Sequence, residues 1–366
     1  MVNTEELYTL ISPDARSKDP SSMLSYVVKM PQYLFESIEK YGETVAGIKG
    51  IEPERFEGVV ISGMGGSFIS GLFLQDLIID RSKKQLVLNR DARLPSFVDE
   101  RFLLINVSYS GNTEETLRVY LEGIKRKLSI VAVTSGGELA TVSEKTGVPV
   151  IRVPPGIPPR AAFPFLTAAV VALASSVLGI DLAGRLKRAS EELSEKLDRT
   201  ITDGLALSRL LKEDVENGRV PLIYGYSPYL SPSYRFKTQL NENTKLHAFY
   251  GELPETNHNE IMGWGSRLNK FTVILVRGKE EPTYMTKRIE FLEKLFEKNQ
   301  VPFYNIHGEG SDRAGELLSL VLKADITSVA LSLLLGVDPT PVETISQLKS
   351  FLEAEARFSL SSELEK

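Results

Sequence analysis

The chain has 366 residues, 42% of them hydrophobic and 25% charged, and 43 basic against 48 acidic side chains leave a formal charge of −5. That is a globular composition with material for about two domains; with no basic stripe it offers no electrostatic footprint for nucleic acid, so an anionic ligand must be held by local groups. The absence of cysteine excludes disulfides, thiolate metal sites and cysteine nucleophiles, and together with the lack of a signal peptide it predicts a cytoplasmic protein.

Residues 1–50 read as an N-terminal helical segment, with Met23, Val27, Met30, Leu34 and Ile38 at helical spacing. From residue 51 the pattern changes. Short apolar runs at Gly58 to Ile61, Gln85 to Leu88, Phe102 to Val107, Ile130 to Val133 and Val148 to Val153 alternate with helical stretches such as Glu114 to Lys127. Strands alternating with helices at this spacing predict a doubly wound parallel sheet, and the fold class is α/β. The uncharged stretch Ala161 to Ile180 is long enough to span a bilayer. Its Ala, Ser and Thr content, and Pro164 near its start, make it a core helix standing alone in the chain, so no membrane contact is expected.

A first subdomain therefore covers 51–182. A charged helical segment from Ala183 to Glu216 opens a second, at 183–336, with strands at Val220 to Tyr224, Phe271 to Val276 and Pro302 to Ile306 and a helix from Thr283 to Lys298. The element order repeats the first subdomain in degraded form. Residues 337–366 form a C-terminal helical segment, and Thr340, Pro341 and Glu343 have the spacing of a capped helix start.

The strongest local signal is Ser108-Tyr109-Ser110-Gly111-Asn112-Thr113, between an apolar strand and an amphipathic helix beginning at Glu114. Exposed amides at a helix N-terminus, with three hydroxyl donors and no charge, suit a phosphate group. A second loop, Gly63-Met64-Gly65-Gly66-Ser67, follows the first strand. A dinucleotide fingerprint would need a third glycine where Phe68 stands, so no nicotinamide cofactor is expected. The three histidines, His247, His258 and His307, are few for an imidazole-based metal site, and no metal is expected.

These two loops resemble the phosphosugar-binding loops of the sugar isomerase (SIS) domain. With Pro158-Pro159-Arg160, Asn241-Glu242-Asn243 and Asn257-His258-Asn259-Glu260, the chain from Gly58 to Lys349 resembles the archaeal-type bifunctional phosphoglucose/phosphomannose isomerases. The resemblance implies two SIS-type subdomains, the first holding the phosphate through Gly65, Gly66, Ser67, Ser108, Ser110 and Thr113. It implies a metal- and cofactor-free aldose–ketose isomerase of glucose 6-phosphate and fructose 6-phosphate, and also of mannose 6-phosphate. Glu242 would move the proton between C1 and C2, a task that partial burial of a carboxylate favours. Arg160 would stabilise the enediolate. His258, reaching in from the second subunit of a homodimer, would open the sugar ring, and Lys349 would assist at the ring oxygen. Thr340 or Thr344 would support turnover of mannose 6-phosphate. A sugar-phosphate isomerase of different substrate, or a non-catalytic phosphosugar sensor, would share the serine loop without requiring Arg160, Glu242 and His258 together.

Overall fold

A computed structural model describes residues 4–266, 270–355 and 358–365. Their contacts group the chain into two compact units, one of Met1–Pro31 with Arg188–Pro341, the other of Gln32–Lys187 with Val342–Lys366. The division reflects packing of the chain ends. The Met23–Val28 helix lies against the Arg313–Leu334 helix, and Phe358, Leu360 and Leu364 join the core of the other unit.

In the Gln32–Lys187 unit, five strands form one parallel sheet: β1 (Gly58–Ser62), β2 (Gln85–Asn89), β3 (Phe102–Val107), β4 (Ser129–Thr134) and β5 (Val150–Arg152), in the order β2-β1-β3-β4-β5. Every residue of β1 and β3 is buried, as expected of central parallel strands covered on both faces. Each fully buried Val, Ile or Leu there contributes about 1.5–3 kcal/mol. The helices Gly65–Ile78, Glu114–Lys125 and Gly137–Thr146 follow β1, β3 and β4, and the first packs on the uncharged helix Phe163–Leu178. The long apolar span Pro159–Leu178 is 89% buried inside the fold. The sequence suggested that it stands alone, but Arg313–Leu334 is two residues longer, nearly as apolar, and 94% buried. That helix escapes notice because it carries Arg313, Glu316, Lys323 and Asp325, all buried.

The Arg188–Pro341 unit holds a four-stranded parallel sheet of β6 (Val220–Tyr226), β7 (Phe249–Leu253), β8 (Phe271–Arg277) and β9 (Phe303–His307), in the order β7-β6-β8-β9. This repeats the order of the first four strands of the other sheet, one strand short. The expected helix from Ala183 to Glu216 is two helices, Leu182–Glu195 and Leu197–Glu216, interrupted at Lys196. The last long helix opens at Glu343, two residues beyond Pro341.

Candidate active site

A sheet of order 2-1-3-4-5 reverses its winding between strands 1 and 3, and ligands collect outside the carboxyl ends of the strands at that point. Both glycine- and serine-rich loops of the sequence leave from there. The Tyr109 backbone amide donates to Ser67 Oγ at 3.4 Å, which joins the loop after β1 to the loop after β3. Within the second loop, Ser108 Oγ donates to Thr113 Oγ1 at 3.0 Å and accepts from the Gly111 amide at 3.1 Å, while Ser110 Oγ accepts from the Asn112 amide at 3.3 Å. Ser67 and Ser108 are buried, Gly66, Ser110 and Thr113 half-buried, and Gly65 exposed, a gradient from a buried floor to an open mouth.

Sequence reasoning missed a third loop, Ser135-Gly136-Gly137 after β4, although it shows the same run of strand, small residues and helix. Ser135 Oγ donates to the Tyr109 carbonyl at 2.6 Å, and the Leu139 amide donates to the Gly111 carbonyl at 2.9 Å. The loops interlock so closely that a β-carbon on Gly111, whose φ is +70°, would stand 1.9 Å from the Gly136 oxygen. Three helix N-termini thus meet at one crevice, each carrying roughly half a positive charge. Glu138, in the first turn of the third helix, accepts from Ser359 Oγ and the Ser361 amide, each at 2.9 Å. Burial works against its ionisation, but these bonds prevail and keep its carboxyl below the usual range.

Arg160 enters from the Pro-rich segment after β5 and is 4% exposed. An added β-carbon on Gly66 would lie 3.4 Å from the Pro159 oxygen and 3.7 Å from the Arg160 α-carbon, so the arginine's backbone lines the first loop. Tyr109 fixes the approach: its hydroxyl donates to the Pro154 carbonyl at 3.0 Å and accepts from the Ile157 amide at 2.9 Å. Gly65, Gly66, Ser67, Ser108, Ser110, Thr113 and Arg160 are therefore brought together. Lys349 belongs to the same unit but stands exposed on the helix Glu343–Glu355.

Glu242 and His258 belong to the other unit. The helix Leu230–Gln239 ends in a π turn, Leu240–Thr244, that carries Glu242 half-buried; π turns are rare and concentrate at functional positions. The helix is pinned by a stripe at four-residue spacing. Arg235 donates to both oxygens of Asp325 at 2.9 and 2.7 Å, Gln239 donates to Asp325 at 2.9 Å, and Asn243 donates to Ser328 at 2.9 Å. Glu242 lies off this stripe and precedes β7, whereas His258 follows β7 on the short helix Glu255–His258 and is exposed. The two thus flank opposite ends of a five-residue strand, a rise of about 16 Å. A separate cavity of about 490 Å³ in this unit, lined by Leu222, Phe249, Tyr250, Trp264 and Phe271 with Glu260, is chiefly aromatic and includes neither group.

Comparison with known proteins identifies the family. Residues 208–352 match the family described as bacterial phospho-glucose isomerase C-terminal SIS domain. The chain is 35% identical to a bifunctional phosphoglucose/phosphomannose isomerase of Aquifex aeolicus, over 82% of this chain and 92% of that protein. It is 32% identical to a protein of the same name from Caldicellulosiruptor bescii, over 90% and 98% of the two chains. Among solved structures, a hypothetical protein from Thermus thermophilus superposes with a TM-score of 0.73 at 17% identity, covering 97% of this chain and 94% of that one. With relatives this similar over nearly their whole length, the chain belongs to the bifunctional phosphoglucose/phosphomannose isomerase family.

Proposed function

We propose that the protein is a cytoplasmic aldose–ketose isomerase that interconverts glucose 6-phosphate and fructose 6-phosphate and also accepts mannose 6-phosphate. The observation that carries the reading is the convergence of Ser67, Ser108, Ser110 and Thr113 with the buried Arg160 at the switch point of one sheet, in a chain of this family. The phosphate lies among the hydroxyls and helix N-termini. Glu242 takes the proton from C2 of the open-chain aldose as the carbonyl electrons shift to O1. It then returns the proton to C1 while the O2 hydroxyl proton passes to O1 and the ketone forms at C2. Arg160 offsets the negative charge on the enediolate oxygens between these steps. Lys349 assists at the ring oxygen, and Thr340 or Thr344 serves the mannose epimer.

His258 exchanges protons at the ring oxygen and the C1 hydroxyl, and it does so in the site of a second copy. Its exposure, and its position beyond the far end of β7 from Glu242, support a homodimer. A phosphosugar sensor is the weaker reading, because binding alone has no use for a half-buried acid on a π turn.

Glu242→Gln should lower isomerisation by at least about a thousandfold with phosphosugar affinity nearly unchanged, the pattern of a group needed only in the transition state. Substantial turnover in a coupled assay would remove Glu242 as the base. Mixing Glu242→Gln with His258→Ala chains should restore activity, because one site of the hybrid dimer then combines an intact Glu242 with the other chain's intact His258. A mixture that stays inactive would return His258 to its own chain.

A further inference from the structure

We propose that Lys245 is a positioning residue for Glu242, holding the π turn by its last carbonyls and tying it to the segment Asp338 to Thr340. The proposal rests on the reading of Glu242 as the base. Carbonyls at the end of a helix lack partners within it, and a nearby lysine is one way to satisfy them. Lys245 directly follows the turn with φ at +61°, a left-handed conformation uncommon outside glycine, asparagine and aspartate. That backbone folds its side chain over the turn it terminates. Nζ donates to the Glu242 carbonyl at 2.7 Å, the Asn243 carbonyl at 3.2 Å and the Pro339 carbonyl at 3.0 Å.

The other residues of the turn have anchors of their own. Asn241 donates to the Leu246 carbonyl at 3.0 Å, Asn243 to Ser328, and Thr244 to the Leu240 carbonyl at 2.6 Å. Lys245 supplies the bond to the peptide of Glu242 itself. At its far end, Pro339 is the middle residue of a turn in which the Thr340 amide donates to Asp338 Oδ1 at 2.8 Å, so one ammonium group fixes the base-bearing turn against a second segment. Proton transfer from carbon depends steeply on the placement of the base, and a loosened turn should slow that step while leaving phosphate binding alone.

The test is steady-state kinetics of Lys245→Gly and Lys245→Met with fructose 6-phosphate, joined to the deuterium isotope effect on kcat with C2-deuterated glucose 6-phosphate. Glycine accepts the left-handed backbone, so Lys245→Gly should melt near the parent temperature, relief of the positive φ offsetting much of the lost ammonium bonding. It should nevertheless lose about tenfold in kcat, keep KM within about twofold, and show a larger isotope effect as proton abstraction becomes slower. Lys245→Met should reproduce the kinetic change at a lower melting temperature. Parental kcat in Lys245→Gly, a fall in kcat matched by a rise in KM, or an unchanged isotope effect would each overturn the assignment. Glu242→Gln assayed alongside separates the two ideas. Turnover surviving in Glu242→Gln removes the base and Lys245's role with it, whereas an inactive Glu242→Gln beside a parental Lys245→Gly overturns the positioning role alone.

Discussion

The two sheets share a strand order but furnish their switch points with opposite chemistry. Outside β1 and β3 the loops Gly63 to Ser67 and Ser108 to Thr113 contain hydroxyls, amides and no acid. Outside β6 and β8 the equivalent crevice is filled by the protein's own carboxylates. Glu316 Oε2 accepts from the Tyr229 hydroxyl and the Lys279 amide, each at 2.8 Å. Tyr226 donates to Glu281 at 3.0 Å, Arg277 pairs with Glu281 and Arg313 with Glu280, and Lys323 holds Glu309 at 2.9 Å. A hydroxyl and a backbone amide converging on one oxygen are the donors a phosphate would use, and here a glutamate already has them. Strand order decides where a ligand can bind. Whether one does bind depends on whether the chain leaves those donors to it.

The largest effect should come from forcing the open crevice apart. Gly111→Ala places a methyl group 1.9 Å from the Gly136 oxygen at a positive φ, and the surroundings are backbone that cannot yield cheaply. About 4 kcal/mol of stability should be lost, with the phosphosugar site lost along with it. A Gly111→Ala protein that melts like its parent would mean the interlocked loops are softer than their contacts imply.

Next in size is a double dissociation between the crevices. Ser110→Ala combined with Thr113→Ala removes two hydroxyls assigned to a charged ligand and should raise KM for fructose 6-phosphate about a hundredfold, with only about 1 kcal/mol of stability lost along with their bonds to Ser108 and Asn112. Glu316→Gln, at a side chain 2% exposed, should do the reverse. It leaves KM at the parental value and lowers stability by about 2 kcal/mol, since a neutral amide oxygen accepts the two bonds more weakly than a charged carboxylate oxygen does. If KM responded to Glu316→Gln, the second crevice would not be the closed structural element described above.

These contrasts were unevenly legible in the sequence. The strands β1 and β3 and the loops after them announced themselves, because buried parallel strands are continuous apolar runs and the loops depart from them abruptly. Their convergence followed from strand order alone. The edge strand β7 went unseen: it reads Phe-Tyr-Gly-Glu-Leu, with Phe249 and Glu252 exposed, and a short alternating segment beside glycine carries little signal. The break at Lys196 was hidden because both flanking helices are amphipathic and charged. Lys245 was illegible for another reason. A lysine in a polar segment looks solvated, and only coordinates show its ammonium group on three carbonyls. The same holds for the plugged crevice, where Glu280, Glu281 and Glu316 read as ordinary surface acids until their partners are seen.

A last prediction sharpens the comparison through pH. Glu192, on the helix Leu182–Glu195, reaches the loop after β9, where its Oε2 accepts from the Ser311 amide and hydroxyl, both at 2.8 Å, while Lys196 donates to Oε1 at 2.6 Å. Burial alone would raise its pKa, but the bonds from Lys196 and Ser311 outweigh it and pull the carboxyl down to about 2. A carboxyl depressed on folding adds stability that is fully present above its ordinary range near pH 4.5 and is lost as the pH falls toward 2. After allowance for partial exposure, the contribution is about 2 kcal/mol. Trp264, the single tryptophan, is buried in the same unit, so its fluorescence follows the region concerned. Glu192→Gln should lower the denaturant midpoint at pH 7 and flatten the decline of that midpoint between pH 5 and pH 2. A variant whose midpoint falls with pH as steeply as the parent's would show that the loop after β9 is held by packing, and that the carboxylates at this sheet's end fill the crevice without binding it shut.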